Sequence, residues 1–501
     1  MFKYTQTNHI MSDTITSIIL CVGTSLCLHY VYQQVKYRSF KGPFALPLFG
    51  NIYDPSLLCI IKYLHSCIHR YGSIFLFWVG MKPMVVVCDP VMVRKILVDT
   101  KTFLKGPDYT EKFSLVFGQG LVTSNGAKHK EDRACLGRFF TKVHIEKYHK
   151  MICETTDKMI EEEIVPHLGK ITDIQDFFHI LSLRIFGKFS MGIDYSQPKY
   201  KAIAKKLNKG VKEGSSIIGK HIIFNIPMFS FIPSIYKVKQ IVSFVDEHIK
   251  DIITQRMNCM EKKMALKDDL LSALLRQYKE KQEKQENIET KENDLTFVYD
   301  HIRTSLAAGH DTTAFFGCYM AFLLAKHPEV QDKIRNEIKC QLTTTTYIDE
   351  EAISKLSYCR CVLQEVLRLY TIIPFVNRTT IKDYKIEDTN QTIPAHSTIL
   401  IPLSIMNRSK HIWKNQNEFI PERFVDIQGH NNAQKGYLPF GYGTRSCIGA
   451  NLAMTEGIIM MVKLVSQFQF YPDETFKPHI IAGISLISKN GIRVRLEPIV
   501  H

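Results

Sequence analysis

Residues Phe440–Gly449 form a glycine-rich loop that delivers a single cysteine to the start of an apolar, helix-like stretch. Gly441 and Gly449 lack the Cβ atoms that would keep a flat ligand away from the backbone. Cys447 precedes the unpaired N–H groups of the predicted helix and follows Arg445 by two residues, and both neighbours favour an ionised sulfur. Such a thiolate can bind a metal. The alternative is a buried free cysteine in a turn, the usual fate of an isolated cysteine.

A second group of reactive residue types interrupts a long apolar stretch. Apolar side chains recur at helical spacing from Leu295 to Lys326, which predicts a helix of about 48 Å. Ala308–Thr313 places Asp311 and Thr312 in the middle of this helix, where such side chains compete for backbone carbonyls. Residues that disfavour helix, placed within an otherwise well-patterned helix, indicate a functional site. The alternative is a kinked surface helix with a polar notch.

The loop around Cys447 resembles the haem-binding loop of the cytochrome P-450 family, the haem-thiolate monooxygenases. This resemblance implies that Cys447 is the axial ligand of the haem iron, and that Phe440, Gly441, Arg445 and Gly449 help to bind the haem. A thiolate ligand donates electrons to the iron and favours cleavage of the O–O bond of dioxygen. The resemblance therefore implies oxidation chemistry.

The mid-helix segment resembles the oxygen-activation groove in the long central helix of the same family. Thr312 matches the threonine whose hydroxyl assists oxygen activation, and Asp311 matches the acid that relays protons, so the resemblance implies catalytic roles for both. Cleavage of O–O needs protons delivered in a nearly dry pocket, which a hydroxyl backed by a carboxylate can supply. His310 is interpreted as a packing residue. Members that demethylate sterols commonly have histidine in the position of Asp311, which disfavours that one reaction without excluding sterols.

Charged residues outside these two segments also match the family. Glu365 and Arg368 lie three positions apart on one face of a predicted helix with mostly apolar neighbours, so we expect a buried pair that needs further partners. With Arg423, they resemble the structural triad of the family, which takes no part in chemistry. Arg378 matches a position that usually pairs with a haem propionate, for which the planar guanidinium is well suited.

One departure from the family pattern lies upstream. The family often has tryptophan and, four residues later, arginine facing the other propionate, whereas this chain has His129 and Arg133. Histidine can donate the same hydrogen bond, so both residues are predicted to bind the haem. The alternative is a basic surface helix that contains Lys128, His129, Lys130 and Arg133.

Length, charge and cysteine content limit the class of protein. A chain of 501 residues suffices for one large hydrophobic core. Lys and Arg outnumber Asp and Glu by 64 to 49, giving a net charge of +15 that is not gathered in a basic, aromatic-interleaved block. We therefore expect no nucleic-acid binding; a membrane surface or an acidic protein partner accounts better for the charge. Thirteen cysteines without regular spacing favour reduced thiols in a cytosol-facing protein.

The N-terminal region has the composition of a membrane anchor. Residues 14–32 contain no Asp, Glu, Lys or Arg and are about long enough to span a bilayer. A cleaved signal peptide usually has a shorter apolar region that ends in small residues. Lys36, Arg38 and Lys41 follow the segment, against a single Lys3 before it, so the positive-inside rule predicts a cytoplasmic C-terminal body. We expect a single-pass protein of the endoplasmic reticulum membrane, in contact with membrane lipid.

The predicted fold is mainly α with small β-sheets, an α+β arrangement of the cytochrome P-450 type with one long central helix. Three segments are predicted: an anchor at 1–35, a basic and proline-rich hinge at 36–52, and the haem domain at 53–501. Strands are expected at Ile74–Val79, Met84–Cys88 and Ile492–Leu496. The segments 105–120 and 205–235 are expected to form an apolar substrate pocket.

These features predict a monooxygenase that contains haem b and inserts one atom of O₂ into a lipophilic substrate such as a sterol, fatty acid or xenobiotic. The sequence contains no Gly-rich dinucleotide fingerprint after a strand. A separate NADPH-cytochrome P-450 reductase is therefore expected as electron donor, with cytochrome b5 as a second candidate. Two alternatives stay open: a haem-thiolate isomerase or dehydratase, and a non-catalytic protein that binds haem or sterol.

Overall fold

The computed structural model describes residues 2–224, 233–284, 295–387, 389–425 and 436–499. Helices predominate, which confirms the predicted fold class. The α-helices are α1 (Phe2–Lys36), α2 (Ile60–Tyr71), α3 (Pro90–Val98), α4 (Pro107–Phe117), α5 (Gly126–Gly137), α6 (Lys142–Glu146), α7 (His149–Met159), α8 (Gln175–Met191), α9 (Pro198–Phe224), α10 (Pro233–Glu261), α11 (Leu270–Lys284), α12 (Thr296–Lys326), α13 (Pro328–Gln341), α14 (Glu350–Lys355), α15 (Ser357–Leu369), α16 (Leu403–Met406) and α17 (Ala450–Val465). Of the second predicted pocket segment, 225–232 lies outside the described residues.

The strands are short and form four small sheets. They are β1 (Ile74–Val79), β2 (Lys82–Val87), β3 (Phe103–Leu104), β4 (Ile171–Asp173), β5 (Val376–Thr380), β6 (Tyr384–Lys385), β7 (Thr392–Ile393), β8 (Thr398–Ile401), β9 (Phe468–Pro472), β10 (Ile480–Ala482), β11 (Leu486–Ser488) and β12 (Arg493–Pro498). The largest sheet has the order β1-β2-β8-β5-β3, in which only β2 and β8 pair in parallel. Strand β1 has the predicted bounds. Strand β2 begins two residues before and ends one residue before the predicted strand, and β12 begins one residue after and ends two residues after the predicted one.

Helix α12 forms the centre of the larger hydrophobic core. Its 31 residues correspond to a length of about 46 Å. The helix ends where Pro328 follows His327, because the residue before a proline disfavours helical angles. Two glycines let α8 approach closely: a Cβ on Gly309 would lie 2.3 Å from the ring of Phe186, and a Cβ on Gly317 would lie 2.3 Å from Phe178. The core therefore fixes α8 firmly against α12.

The N-terminal helix has one end in contact with the rest of the chain. Thr16–Lys36 of α1 is long and apolar enough to cross a membrane, the one such stretch among the described residues. Near its C-terminal end, the Tyr30 hydroxyl donates a hydrogen bond to the Ala45 carbonyl at 2.5 Å, and the Tyr30 ring lies 5.7 Å from that of Trp78. In the predicted hinge, Tyr37 and Ala45 are buried in the core around the large sheet. The hinge thus packs against the sheet, and the domain boundaries stay a prediction.

Candidate functional site

A cavity of about 420 Å³ lies between α12 and the loop that precedes α17. Its walls are mostly apolar. They include Phe113, Val116 and Phe117 of α4, part of the first predicted pocket segment, together with Leu183 of α8 and Val245 of α10. The cavity also contains both groups of reactive residues singled out in the sequence, because Cys447 lines one side and Asp311 and Thr312 line another. The structure thus brings together two segments that are more than a hundred residues apart.

The loop before α17 presents the sulfur of Cys447 to the cavity. Gly441 and Gly443 have φ angles of 73° and 72°, a region that disfavours side chains with a Cβ. The Cys447 N–H donates to the Phe440 carbonyl at 2.7 Å, which closes the loop beneath the thiol. Phe440, Gly441 and Gly449 line the same cavity. The exposed surface of Cys447 therefore faces an interior space.

The surroundings of the Cys447 thiol act on its charge in opposite directions. Burial raises the pKa of the thiol, and this effect outweighs the backbone N–H of Gly449 and the positive charge of Arg133, which lower the pKa. We expected Arg445 to supply the stabilising positive charge, but the structure gives this effect to Arg133. The Arg133 guanidinium also donates to the Ser446 carbonyl at 2.7 Å.

Four cationic side chains gather beside the loop. The Lys105 ammonium donates to the Val122 carbonyl, and Arg445 donates to the Asn125 side chain at 2.8 Å. Arg133 and Arg378 also bond to neutral oxygens. Among the described residues, none of these four cations forms an ion pair with a carboxylate. Burial and the charges of Arg378 and Arg445 hold the pKa of Lys105 well below its usual range.

The same crowding affects the arginines. Burial and the nearby charges of Arg378 and Arg133 lower the pKa of Arg445 to about 10, with an opposing contribution from Tyr109. Arg378 is buried. In the described part of the chain, the cavity wall includes Asn377, Lys105, Arg133 and Arg445 but not Arg378. A group with two negative charges bound here would relieve the repulsion between the cations.

Helix α5 directs His129 and Arg133 to the cavity. His129 is buried, while Lys128 and Lys130 on either side are exposed. The alternative of a basic surface helix therefore describes the two lysines and not His129. Burial and the surrounding cations, chiefly Arg445, lower the pKa of His129 to about 4. His129 is thus a neutral imidazole at physiological pH, able to donate one hydrogen bond.

On the opposite wall, α12 remains helical through Ala308–Thr313. The Thr312 hydroxyl donates to the Ala308 carbonyl at 2.7 Å, one turn earlier. The Asp311 carboxylate accepts a hydrogen bond of 2.7 Å from the hydroxyl of Ser485. His310 is buried, and its Nε2 lies 3.0 Å from the His179 carbonyl oxygen. This position agrees with the packing role expected for His310, and the kinked surface helix does not form because the segment is interior.

The Glu365 network lies outside the cavity. Arg368 donates from Nε and Nη2 to the two carboxylate oxygens of Glu365, at 2.6 and 2.8 Å. Arg423 donates to the same carboxylate at 2.9 Å, as does the Ile420 N–H. The remaining donors of Arg368 reach the carbonyls of residues 407, 416 and 418. The structure therefore brings the three predicted triad residues together and supplies their remaining partners.

Two further polar residues of the cavity were missed in the sequence. Lys105 follows an unremarkable apolar pair, and no local pattern separates it from a surface lysine. Glu456 is different, because it is the one acidic residue in the apolar helix α17. Burial raises the pKa of Glu456 to about 8, and the residue lines the cavity. A lone carboxyl in an apolar helix was a signal that could have identified Glu456.

Known proteins resemble the chain over nearly its whole length. The cytokinin hydroxylase of Arabidopsis thaliana is 26% identical to it over 98% of both chains. Secologanin synthase 1 of Catharanthus roseus is 27% identical over 84% of this chain and 80% of its own. Cytochrome P450 3A9 of Rattus norvegicus is 24% identical over 90% of each.

The sequence model described as "Cytochrome P450" matches residues 40–493. This match covers the cavity, the loop of Cys447, the central helix and the Glu365 network. The chain therefore belongs to the cytochrome P450 family, the monooxygenases whose cofactor is haem b.

Proposed function

We propose that this chain inserts one oxygen atom of O₂ into a lipophilic organic substrate at the cavity between Cys447 and α12. The observation that carries the proposal is the arrangement of one cavity: a thiol on one wall, a carboxyl and a hydroxyl on the other, and apolar side chains between them. The three requirements of such a reaction, an iron ligand, a proton source and a dry substrate pocket, thus meet in one space.

The cation cluster supports haem as the group bound beside Cys447. Haem carries two carboxylates, and four cations without carboxylate partners among the described residues fit that charge. We assign Cys447 as the iron ligand, and Arg133, Arg445 and neutral His129, which line the cavity, as partners of the propionates. We assign Arg378 to the same set because its charge acts on both Lys105 and Arg445, although its neighbour Asn377 lines the wall in its place. We add Lys105 to this set, because its charge is disfavoured by the same cations. Phe440, Gly441 and Gly449, which line the cavity beside Cys447, would help to hold the haem.

Bound haem would supply the binding and reductive cleavage of dioxygen. The protein's task on the other wall is to hold and move protons. The Thr312 hydroxyl can keep its bond to the Ala308 carbonyl or turn toward the cavity, so it can position a proton near the reacting oxygen. Asp311, one residue earlier, is the candidate for replacing that proton. Retention of both residues argues against an isomerase or dehydratase, because rearrangement of a peroxide needs no such relay.

The lining favours an apolar substrate and does not select one compound. The named relatives also differ, since a cytokinin hydroxylase and 11-oxo-beta-amyrin 30-oxidase are both 26% identical to this chain. We therefore propose a lipophilic substrate class of sterols, fatty acids or xenobiotics. A panel of these compounds, screened for ligand-induced shifts of the haem spectrum, is the direct way to narrow the class.

The electrons would come from a separate NADPH-dependent flavoprotein reductase, with cytochrome b5 as a second candidate. The net charge of +15 suits an acidic docking surface on such a partner. We further propose that α1 anchors the chain in the endoplasmic reticulum membrane, with the body in the cytoplasm. The basic residues Lys36, Arg38 and Lys41 after the apolar stretch support that orientation.

Reconstitution tests the proposed activity. The full-length chain with reductase, NADPH and a substrate identified by spectral shift should consume NADPH and incorporate one atom from ¹⁸O₂ into the product. An isomerase or dehydratase would turn over an added peroxide without NADPH, and a haem carrier would do neither. Either result would overturn the monooxygenase proposal for this chain.

A further inference from the structure

Two residues from distant parts of the chain flank the Asp311 carboxylate, one through a hydrogen bond and one through packing. The Ser485 hydroxyl donates to Asp311 Oδ2 at 2.7 Å. On the other side, His179 Nδ1 lies 4.0 Å from Asp311 Oδ1. Asp311, Ser485 and His179 are 3%, 1% and 0% exposed. The carboxylate therefore lies between a hydroxyl and an imidazole, both shielded from outer solvent.

The turn that carries Ser485 is fixed to the protein and also forms part of the cavity wall. Residues 483–485 connect β10 to β11 and line the cavity. The Gly483 N–H donates to the Ser485 carbonyl at 2.9 Å, and the Leu486 N–H donates to the Ile372 carbonyl at 2.7 Å. The Tyr319 hydroxyl of α12 donates to the Leu486 carbonyl at 2.8 Å. Ser485 is thus held at a set distance from the helix that carries Asp311.

His179 is held just as firmly, from the side of α8. Its carbonyl oxygen lies 3.0 Å from Nε2 of His310, and the two imidazole rings are 5.4 Å apart. The Ser182 hydroxyl donates to the His310 carbonyl at 2.9 Å. The close approach of α8 to Gly309 keeps these contacts in register. His179 does not line the cavity, so any influence it has on the chemistry must pass through Asp311.

We infer that Ser485 and His179 are positioning residues that hold the Asp311 carboxylate in the orientation from which it exchanges a proton at the cavity. This inference rests on the proton-relay role proposed for Asp311. A carboxylate on a two-bond side chain can turn between several rotamers. The hydrogen bond from Ser485 to one oxygen and the packed imidazole of His179 beside the other select one of them. Loss of either partner lets the carboxylate turn, while the iron ligand and the apolar walls stay unchanged.

The test compares two substitutions with matched controls. Ser485→Ala removes the hydroxyl and Ser485→Thr keeps it. Ser488→Ala is the control in the same hairpin, because the Ser488 hydroxyl donates to the Gly491 carbonyl instead. His179→Gln has His149→Gln as its control, since His149 is equally buried and its Nε2 lies 3.9 Å from a carboxylate oxygen of Glu350, away from the cavity.

Two measurements report on the holoprotein. The ratio of product formed to NADPH consumed should fall about tenfold in Ser485→Ala, the fold-change that corresponds to one hydrogen bond to a charged group. It should fall by a smaller factor in His179→Gln, because the 4.0 Å between His179 Nδ1 and Asp311 Oδ1 is too long for a hydrogen bond. The infrared carboxyl band of Asp311, assigned by its loss in Asp311→Asn, should shift in the resting protein of the same two variants. Ser485→Thr should restore both readouts, and the two controls should match the wild type.

The outcomes separate this inference from the proposed function. If Asp311→Asn keeps full coupling, the relay role of Asp311 is wrong. If Asp311→Asn uncouples but Ser485→Ala leaves both coupling and band unchanged, only the positioning role is wrong. Asp311→Asn combined with Ser485→Ala should be no worse than Asp311→Asn alone, and a further loss would show that Ser485 acts on the cavity directly. Should His179→Gln fail to fold, the Ser485 series decides, because it changes only a hydroxyl or adds a methyl group.

Discussion

The charges around Glu365 and the charges around Cys447 are both withdrawn from solvent, but they are balanced in different ways. Glu365 receives four hydrogen bonds, from Arg368, Arg423 and the Ile420 N–H. The cations near Cys447 bond to neutral oxygens, and burial together with neighbouring cations lowers the pKa of Lys105 and of Arg445. Arg368 and Arg423 find their carboxylate partner, Glu365, within the protein, whereas the second set would find carboxylate partners on a ligand.

This difference separates structural charges from functional ones. A buried ion pair that lacks one partner leaves an uncompensated charge, so each member of the Glu365 network depends on the others for stability. Unpaired cations cost stability in the protein alone and are retained where something binds to them. The comparison therefore predicts that substitutions in the first region affect folding, and that substitutions in the second affect binding or turnover.

The most severe test is Cys447→Ala. If the thiolate is the iron ligand, the variant should lose completely the red-shifted band of the reduced carbon monoxide complex, since no other cysteine among the described residues lines the cavity. Visible spectroscopy of the reduced protein measures this. Cys340→Ala, the same change at an exposed cysteine of α13, should keep the band. Persistence of the band in Cys447→Ala would contradict the assignment.

The next largest effect should come from Glu365→Gln or Arg368→Lys. Removing one partner of this buried network should cost about 3–5 kcal/mol. Thermal unfolding and haem content should both fall. Glu351→Gln, which breaks the exposed Lys355–Glu351 pair, should change stability by less than about 1 kcal/mol. A Glu365 or Arg368 variant that folds, binds haem and loses only turnover would show that the network acts in catalysis. The distinction between structural charges at Glu365 and functional charges near Cys447 would then be wrong.

Glu456→Gln should change how stability depends on pH. Folded Glu456 keeps its proton up to a pKa of about 8, against a usual value of 4.5, so between these values the folded chain binds more protons than the unfolded one. Stability therefore falls as pH rises through that window. Glutamine should remove this fall and stabilise the protein at pH 7 by about 2–3 kcal/mol, with little effect at pH 4. Chemical denaturation at both pH values measures it, and an equal change at both would refute the raised pKa.

Thr312→Ala should leave folding and haem content intact but lower the product formed per NADPH about tenfold, with peroxide as the by-product. The matched control is Thr156→Ala in α7, because Thr156 also donates to the carbonyl one turn earlier, at 2.8 Å. Coupling should be unchanged in the control. Equal effects of the two substitutions would mean that the hydroxyl of Thr312 only stabilises its helix.

The smallest expected signal concerns glycosylation. Asn377, Asn390 and Asn407 lie in Asn-x-Ser/Thr sequences, and a cytoplasmic body should leave all three bare. Asn407 is 1% exposed and donates to the Thr371 hydroxyl at 2.8 Å, so it should stay bare in either orientation. Asn390 is exposed and is the informative site. Mass spectrometry of protein from eukaryotic membranes should find no glycan there, and a glycan would place the body in the lumen.

The elements that were predictable from sequence are those with local causes. The bounds of α12 follow from periodicity and the proline at 328, and the loop of Cys447 follows from glycine spacing. The cationic neighbours of Lys105 were not predictable, because Arg378 and Arg445 lie more than 270 residues away along the chain. In the sequence Gly309 is only a residue that disfavours helix within Ala308–Thr313, but in the structure its absent Cβ makes room for Phe186. Contacts between distant segments are set by packing, which no local pattern encodes.

The end of α1 is joined to the sheet by Tyr30 and by Tyr37, whose hydroxyl lies 2.7 Å from that of Ser397. A helix that is fixed at its end in this way is expected to move together with the rest of the chain. If α1 spans a bilayer as proposed, each residue removed between the bilayer and Tyr30 would draw the body about 1.5 Å closer to the lipid, because the rise of an α-helix is fixed. The distance between the body and the membrane surface would then be set in steps of one residue by the length of this helix.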